Sequence, residues 1–150
     1  MILVKDMLRH KTPDVWSIGP EATIYETLEL MAAKDIGAVP VVEEGRLVGI
    51  FSERDYARGV ALRGKSSHDM KVRELMNYPV FTIGPDETID ACMSLMTDRH
   101  IRHLPVVSSA GRLVGLISIG DVVKAIITDQ RLYIRDLEKY IAGAPGAGMS

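Results

Sequence analysis

This chain has only one cysteine, Cys92. One thiol makes no internal disulfide, which fits a reducing compartment. Cys92 lies between Ile89 and Met93 in an apolar pattern, so it reads as a small buried hydrophobe and not as a nucleophile. Long hydrophobic runs are also missing, and none could span a bilayer. The N-terminus, MILVKDMLRH, begins apolar, but Lys5 and Asp6 interrupt it, which makes it too short and too charged for a signal peptide. Neither sign of charge is in excess, with 18 basic residues against 20 acidic ones. That balance leaves no electrostatic footprint for nucleic acid or an anionic membrane. The expected setting is cytoplasmic, with no membrane and with nucleic acid disfavoured as a partner.

Catalytic and metal signatures are absent as well. The four histidines, His10, His68, His100 and His103, form no HExxH, and there is no CxxC, so no metal site is expected. No G-x-S-x-G elbow and no phosphate loop of the G-x-x-x-x-G-K-[ST] type occurs. Asp55 and Asp121 have no convergent base or nucleophile in the sequence. The expectation is a non-enzyme with no catalytic residues and no required cofactor.

The chain does contain a duplication. GRLVGIFSERD (45–55) returns as GRLVGLISIGD (111–121). IGPEATIYETLELMAAKDIGAVPVV (18–42) matches IGPDETIDACMSLMTDRHIRHLPVV (83–107) at Ile, Gly, Pro, Thr, Ile, Leu, Met, Ile, Pro, Val and Val. Related lead-ins, VKDML (4–8) and VRELM (72–76), precede the copies. The spacing of about 65 residues exceeds that of ordinary solenoids and suggests a pseudo-symmetric pair.

Each copy reads strand, helix, strand, strand, helix. VWSI (15–18) and PVFTI (79–83) are short apolar runs stopped by Gly-Pro. Ile24, Leu28, Met31 and Ala32 make a helical stripe, opened by a Thr23–Glu26 capping box. Ile89, Met93 and Met96 repeat it, but Thr88 has Ala91 where the acid would stand. AVPVV (38–42) and HLPVV (103–107) favour strand, with proline at a strand start or edge. RLVGIFS and RLVGLIS return as the third strand, and helices follow Ser52 and Ser118. The link 63–71 is polar and expected to be exposed. The last helix, about 121–141, carries Val123, Ile127, Ile134, Leu137 and Ile141 and outlasts the repeat. Such a stripe needs cover from a second copy or from its own domain. The tail GAPGAGMS has the composition of a disordered segment.

Taken together, the doubled unit, the PVV strand and the G-x-x-S-x-x-D ending resemble a pair of CBS domains, the Bateman module, and in particular a bacterial subgroup of stand-alone pairs. The likeness covers about 1–130. It implies an α+β fold of two pseudo-symmetric repeats packed through their sheets, with an extended C-terminal helix. The divisions are 1–65, 66–130 and a helical extension with flexible tail over 131–150. It also implies a regulatory module that binds adenosine-containing ligands between the repeats. Dimerisation through the repeat helices and the C-terminal helix is expected, with an unidentified regulated protein as further partner.

Ser52-x-x-Asp55 and Ser118-x-x-Asp121 have two compatible readings. A serine N-cap with an acid three residues on is a capping box. A carboxylate can also accept hydrogen bonds from both ribose hydroxyls, and a helix N-terminus suits a phosphate. In the family, the matching Asp binds ribose and the matching Ser lies near ribose or phosphate. Carried over, Ser52, Arg54 and Asp55 share a cleft with Thr82, Ile83 and Arg102-His103-Leu104-Pro105. Ser118 and Asp121 share the other with Ser17, Ile18 and Gly37-Ala38-Val39-Pro40. Adenine would lie against those strand segments. Arg102 and His103 stand where the first copy has Gly37 and Ala38, so the Asp55 cleft is expected to carry phosphate and the Asp121 cleft to be neutral. AMP, ADP or ATP is favoured and NAD(H) stays open. S-adenosylmethionine, nucleic acid and a structural dimer with vestigial clefts are the alternatives.

Overall fold

The computed structural model describes residues 2–11, 15–61, 64 and 66–143. In chain order come α1 (Val4–Leu8), α2 (Ile24–Lys34), β1 (Ala38–Glu43), β2 (Arg46–Ser52) and α3 (Glu53–Tyr56), which widens into a π turn over Ala57–Ala61. A 3-10 turn (Val72–Glu74) leads to α4 (Ile89–Arg99), β3 (His103–Val107), β4 (Leu113–Ser118) and α5 (Ile119–Gly143).

The local chemistry accounts for the helix starts. The Glu26 N–H donates to the Thr23 hydroxyl oxygen at 3.0 Å, and the Glu26 carboxylate accepts the Thr23 N–H at 3.3 Å. Thr88 accepts the Ala91 N–H at 3.1 Å, with no acid to return the bond. Ile24, Thr27 and Met31 bury one face of α2, and Ile89, Cys92 and Met96 bury the matching face of α4. Both helices stop on a left-handed residue, Asp35 (φ 53°) and His100 (φ 55°), at equivalent places in the repeat.

Each repeat has one antiparallel hairpin. β1 pairs with β2 from Ala38↔Ser52 to Glu43↔Arg46, and β3 with β4 from His103↔Ser118 to Val107↔Leu113. Both ladders carry an irregularity at the same point, Val41/Val42 and Val106/Val107. The expected first strands shrink to single parallel bridges, Ile18↔Val41 and Ile83↔Val106. Proline explains this correction. The Ile18 N–H donates to the Pro40 carbonyl at 3.1 Å, and the Val42 N–H to the Ile18 carbonyl at 2.8 Å. The next rung would need an N–H from Pro40, which proline lacks. Pro105 stops the second copy in the same way.

The lead-ins exchange partners. Val4 and Met7 of α1 are buried in one core with Ile83, Ile89, Cys92, Met96, Leu104, Val106, Ile117 and Val122, all from the second repeat. Met70 and Val72 are buried in the other with Ile24, Met31, Val39, Val41, Phe51 and Val60. Backbone bonds fix both crossings. The Val4 N–H donates to the Glu87 carbonyl and the Val72 N–H to the Ala22 carbonyl, each at 2.8 Å. The exchanged segments press on glycines, Leu8 on Gly115 and Met76 on Gly49.

The polar link is more tied down than expected. Met70 is buried, the Ser67 carbonyl accepts the Tyr25 N–H at 2.9 Å, and His68 stacks on Tyr25 with ring centroids 4.1 Å apart. Residues 63 and 65 of that link, and the tail from 144, lie outside the described residues. α5 packs on α4, α1 and β4 near its start, burying Val122 and partly burying Ala125 and Ile126. Every residue from 130 to 142 is exposed, so the stripe does not fold back on its own domain. No helix among the described residues is long and apolar enough to cross a membrane.

Candidate functional site

Ser52 and Ser118 end β2 and β4, and each opens a helix, so the two repeats place two serine–aspartate pairs at equivalent corners. At the first corner, Asp55 accepts the Ser52 N–H at 2.8 Å and the Ser52 hydroxyl at 2.9 Å. At the second, Asp121 accepts the Ser118 N–H at 2.9 Å, and the Asp121 N–H donates to the Ser118 hydroxyl oxygen at 3.1 Å. The capping role is therefore built at both corners.

Each carboxylate also holds a nitrogen donor from one of the segments that follow the lead-ins. The Asn77 side-chain amide lies 3.0 Å from both oxygens of Asp55. Asn77 is held there by reciprocal backbone bonds with Ile50, at 2.8 and 3.1 Å. The Lys11 ammonium lies 2.7 Å from Asp121 and 2.7 Å from the Leu116 carbonyl. Burial alone would raise the Asp121 pKa, and it is the largest single influence. The hydrogen bonds from Lys11 and Ser118, with the Lys11 charge, outweigh it and hold the carboxyl below its ordinary value.

Arg102 and His103 lie near the Asp121 corner, since His103 is the β3 residue opposite Ser118 and the Arg102 carbonyl accepts the Ile119 N–H at 2.8 Å. Burial first, then the charges of Lys11 and Arg102, push the His103 pKa down, while Asp121 and Glu53 pull it up less. Burial and the two cations thus favour the neutral ring. It also reaches the first repeat, because a Cβ on Gly37 would stand 3.6 Å from its Nε2. The Asp121 side, expected to be neutral, thus carries Lys11 with the Arg102-His103 pair close by. The expected division placed the basic pair at the Asp55 cleft and left the Asp121 cleft neutral. Arg54 is exposed in the first turn of α3.

The expected adenine walls divide into open and closed parts. Ser17 and Thr82 are exposed and Ile18 is half-buried, whereas Ala38, Pro40, Ile83 and Pro105 are buried. An open hollow of about 460 Å³ takes in Thr82 and Ile83 with Gly84, Glu87, Ala91, Ser94, Leu95 and Asp98. It includes neither aspartate corner. Beside Ser17 and Thr82 lie two exposed aromatics that the sequence reading did not single out. Lys34 sits over Trp16, 4.1 Å from the ring centroid, and Arg99 over Phe81 at 4.8 Å. These pairs are one repeat apart, so each repeat presents a cation-capped ring at the same place. Among the described residues no cluster of His, Cys, Asp and Glu could hold a metal ion.

The model of the CBS domain family matches twice, over 4–61 and 72–128. The chain is a CBS-domain pair. It is 38% identical over 126 residues to the mitochondrial CBS domain-containing protein CBSX3 of Arabidopsis thaliana, a match covering 81% of this chain and 61% of that one. The chain spans 61%, 36% and 57% of the lengths of three curated relatives it matches. Among solved structures it is similar to a CBS-domain protein from Burkholderia ambifaria, at 42% identity and a TM-score of 0.82, over 86% of this chain and 96% of that one. It is also similar to the CBS domain pair of protein MJ0100 in complex with 5'-methylthioadenosine and S-adenosyl-L-methionine, at 27% identity and a TM-score of 0.72, over 86% and 98%.

CBS pairs are regulatory, ligand-binding modules, and stand-alone pairs are generally not catalysts. In this CBS pair, sequence reasoning located both aspartates but missed Asn77 and Lys11, the groups that engage them. The matching lead-ins were the available signal. Each is followed within three residues by a nitrogen donor, and the exchange of lead-ins carries that donor to a corner.

Proposed function

We propose that this CBS pair senses an adenosine-containing nucleotide, with AMP, ADP or ATP favoured over NAD(H), in clefts between its repeats. The ligand is regulatory and not a resident cofactor. The observation that carries this reading is the pair of preorganised carboxylates, Asp55 and Asp121. Each is fixed at a helix start and takes hydrogen bonds from a side-chain nitrogen donor, Asn77 at Asp55 and Lys11 at Asp121. Two ribose hydroxyls offer the same donors. Lys11, with Arg102 and His103 nearby, suits the phosphates. Ser17, Ile18, Ala38, Pro40, Thr82, Ile83 and Pro105 supply the walls for adenine. Occupancy shifts the relation between halves or between subunits of a homodimer in the cytoplasm, and another protein reads the shift. A second reading, S-adenosylmethionine, is favoured by the complex of MJ0100.

Thermal unfolding with AMP, ADP, ATP, NADH and S-adenosylmethionine tests this, on the wild type, Asp55→Ala and Asp121→Ala. A ligand that binds only the folded state raises the midpoint by mass action. The expected result is stabilisation by a phosphate-bearing nucleotide that one of the substitutions abolishes. Stabilisation by S-adenosylmethionine alone selects the second reading. No shift with any compound leaves two helix caps in a structural dimer.

A further inference from the structure

α5 runs well past the body it packs on. Val122, Ala125 and Ile126 face the second repeat's core. A second stripe, about a quarter-turn away, faces nothing: Val123 is 43% exposed, Ile127 45%, Ile134 52%, Leu137 43% and Ile141 51%. At 1.5 Å per residue it is about 27 Å long. An isolated helical arm of this kind is marginal in water, and an apolar stripe of this length calls for cover.

The spacing identifies the cover. Ile127, Ile134 and Ile141 recur every seven residues, and so do Val123, Gln130 and Leu137. That is a two-position heptad seam. Lys124, Arg131 and Glu138 border one side, and Ile126, Tyr133 and Tyr140 border the other. In a parallel pair the two borders face each other, so no opposite charges meet. In an antiparallel pair each border meets its own copy, which sets Glu138 against the partner's Lys124 twice and Arg131 beside the partner's Arg131 once, a net gain over the parallel pair.

We propose that α5 pairs antiparallel with α5 of a second copy of this chain. Ile127 meets the partner's Leu137, Ile134 meets the partner's Gln130, and Ile141 meets the partner's Val123. Glu138 lies between the partner's Lys124 and the partner's Arg131. The pairing specifies the dimer part of the proposed function and rests on that part alone.

Sedimentation across a concentration series, without nucleotide, tests the pairing, so ligand binding does not enter the result. The wild type should be a dimer, and Leu137→Glu should make it a monomer with an unchanged circular-dichroism spectrum of the body. Glu138→Arg should weaken the dimer about tenfold at low salt, because two exposed pairs are lost and two repulsions created. Adding Lys124→Glu to Glu138→Arg should restore it, because the exchange rebuilds the two Lys124–Glu138 pairs with reversed sign, and only the antiparallel arrangement brings those positions together. A monomeric wild type, or a dimer that Leu137→Glu leaves intact, would overturn the pairing. Failure of the double exchange to restore affinity would overturn its direction.

Discussion

Adding one methyl group to Gly115 should change stability with a sign set by a residue more than a hundred positions away. Gly115 is buried on β4, and a Cβ built there would stand 2.5 Å from Leu8 Cδ2, 3.1 Å from Cδ1 and 3.4 Å from Cγ. The Leu8 side chain must move, and overpacking of this kind costs about 1–3 kcal/mol. Against that, Gly115 has no positive φ, so alanine fits its backbone and restricts the unfolded chain, a gain of about 0.4–1 kcal/mol. In the wild type, Gly115→Ala should therefore destabilise by about 1 kcal/mol net. Leu8→Ala alone should cost about 1–2 kcal/mol, less than a full core truncation because Leu8 is only partly buried. In the Leu8→Ala background the obstacle is gone, and Gly115→Ala should stabilise by about 0.4–1 kcal/mol. Urea unfolding at one protein concentration measures all four chains. Met76→Ala, whose side chain packs on Gly49 in the other repeat, serves as the uncoupled control. An equal effect of Gly115→Ala in both Leu8 backgrounds, within about 0.3 kcal/mol, would refute the exchange of lead-ins.

Asn77→Ala removes the amide from Asp55 and should lower stability by about 0.5–1.5 kcal/mol in urea titration, with Asn77→Asp worse because it sets two acids together. Lys11→Met should be less stable than the wild type at pH 7. Because Asp121 has a depressed folded pKa, the gap should be full above the unfolded value near 4 and close as pH falls through the folded one. A gap of constant size across that window would exclude the Lys11–Asp121 contact. His103 also has a depressed folded pKa, so its contribution is present above about pH 6.5 and is lost on acidification. His103→Gln should flatten the stability profile between pH 7 and 5. Cys92 is fully buried and its thiol is pushed up to about 11 by burial and then by Glu87, so a thiol reagent should label it only after unfolding.

The local features were readable because each depends on residues close in sequence. The Thr23–Glu26 box, the missing acid after Thr88, the burial of Cys92 and the serine caps all act over three or four positions. The apolar stripes of α2 and α4 were legible for the same reason, since 3.6-residue spacing is a property of a single segment. Composition overstates the first strands. VWSI and PVFTI have strand-like residues, but what limits them is a proline on the neighbouring strand, more than twenty positions away. β propensity describes the fit to a pleated surface and does not say whether the neighbour can supply the rung.

The charge at the two corners has a source outside the duplicated unit. Inside the duplicated unit, Arg102 and His103 stand against Gly37 and Ala38. The groups that touch the carboxylates lie outside that unit, in the segments just after the lead-ins. There the copies differ in the offset from lead-in to donor, one position from Met76 to Asn77 and three from Leu8 to Lys11. Because the lead-ins cross, the neutral donor goes to Asp55 of the first repeat and the cation to Asp121 of the second. Two nearly identical corners thus acquire different electrostatics from the sequence that joins and precedes them. The difference can be altered at Lys11 or Asn77 without touching either Ser-x-x-Asp.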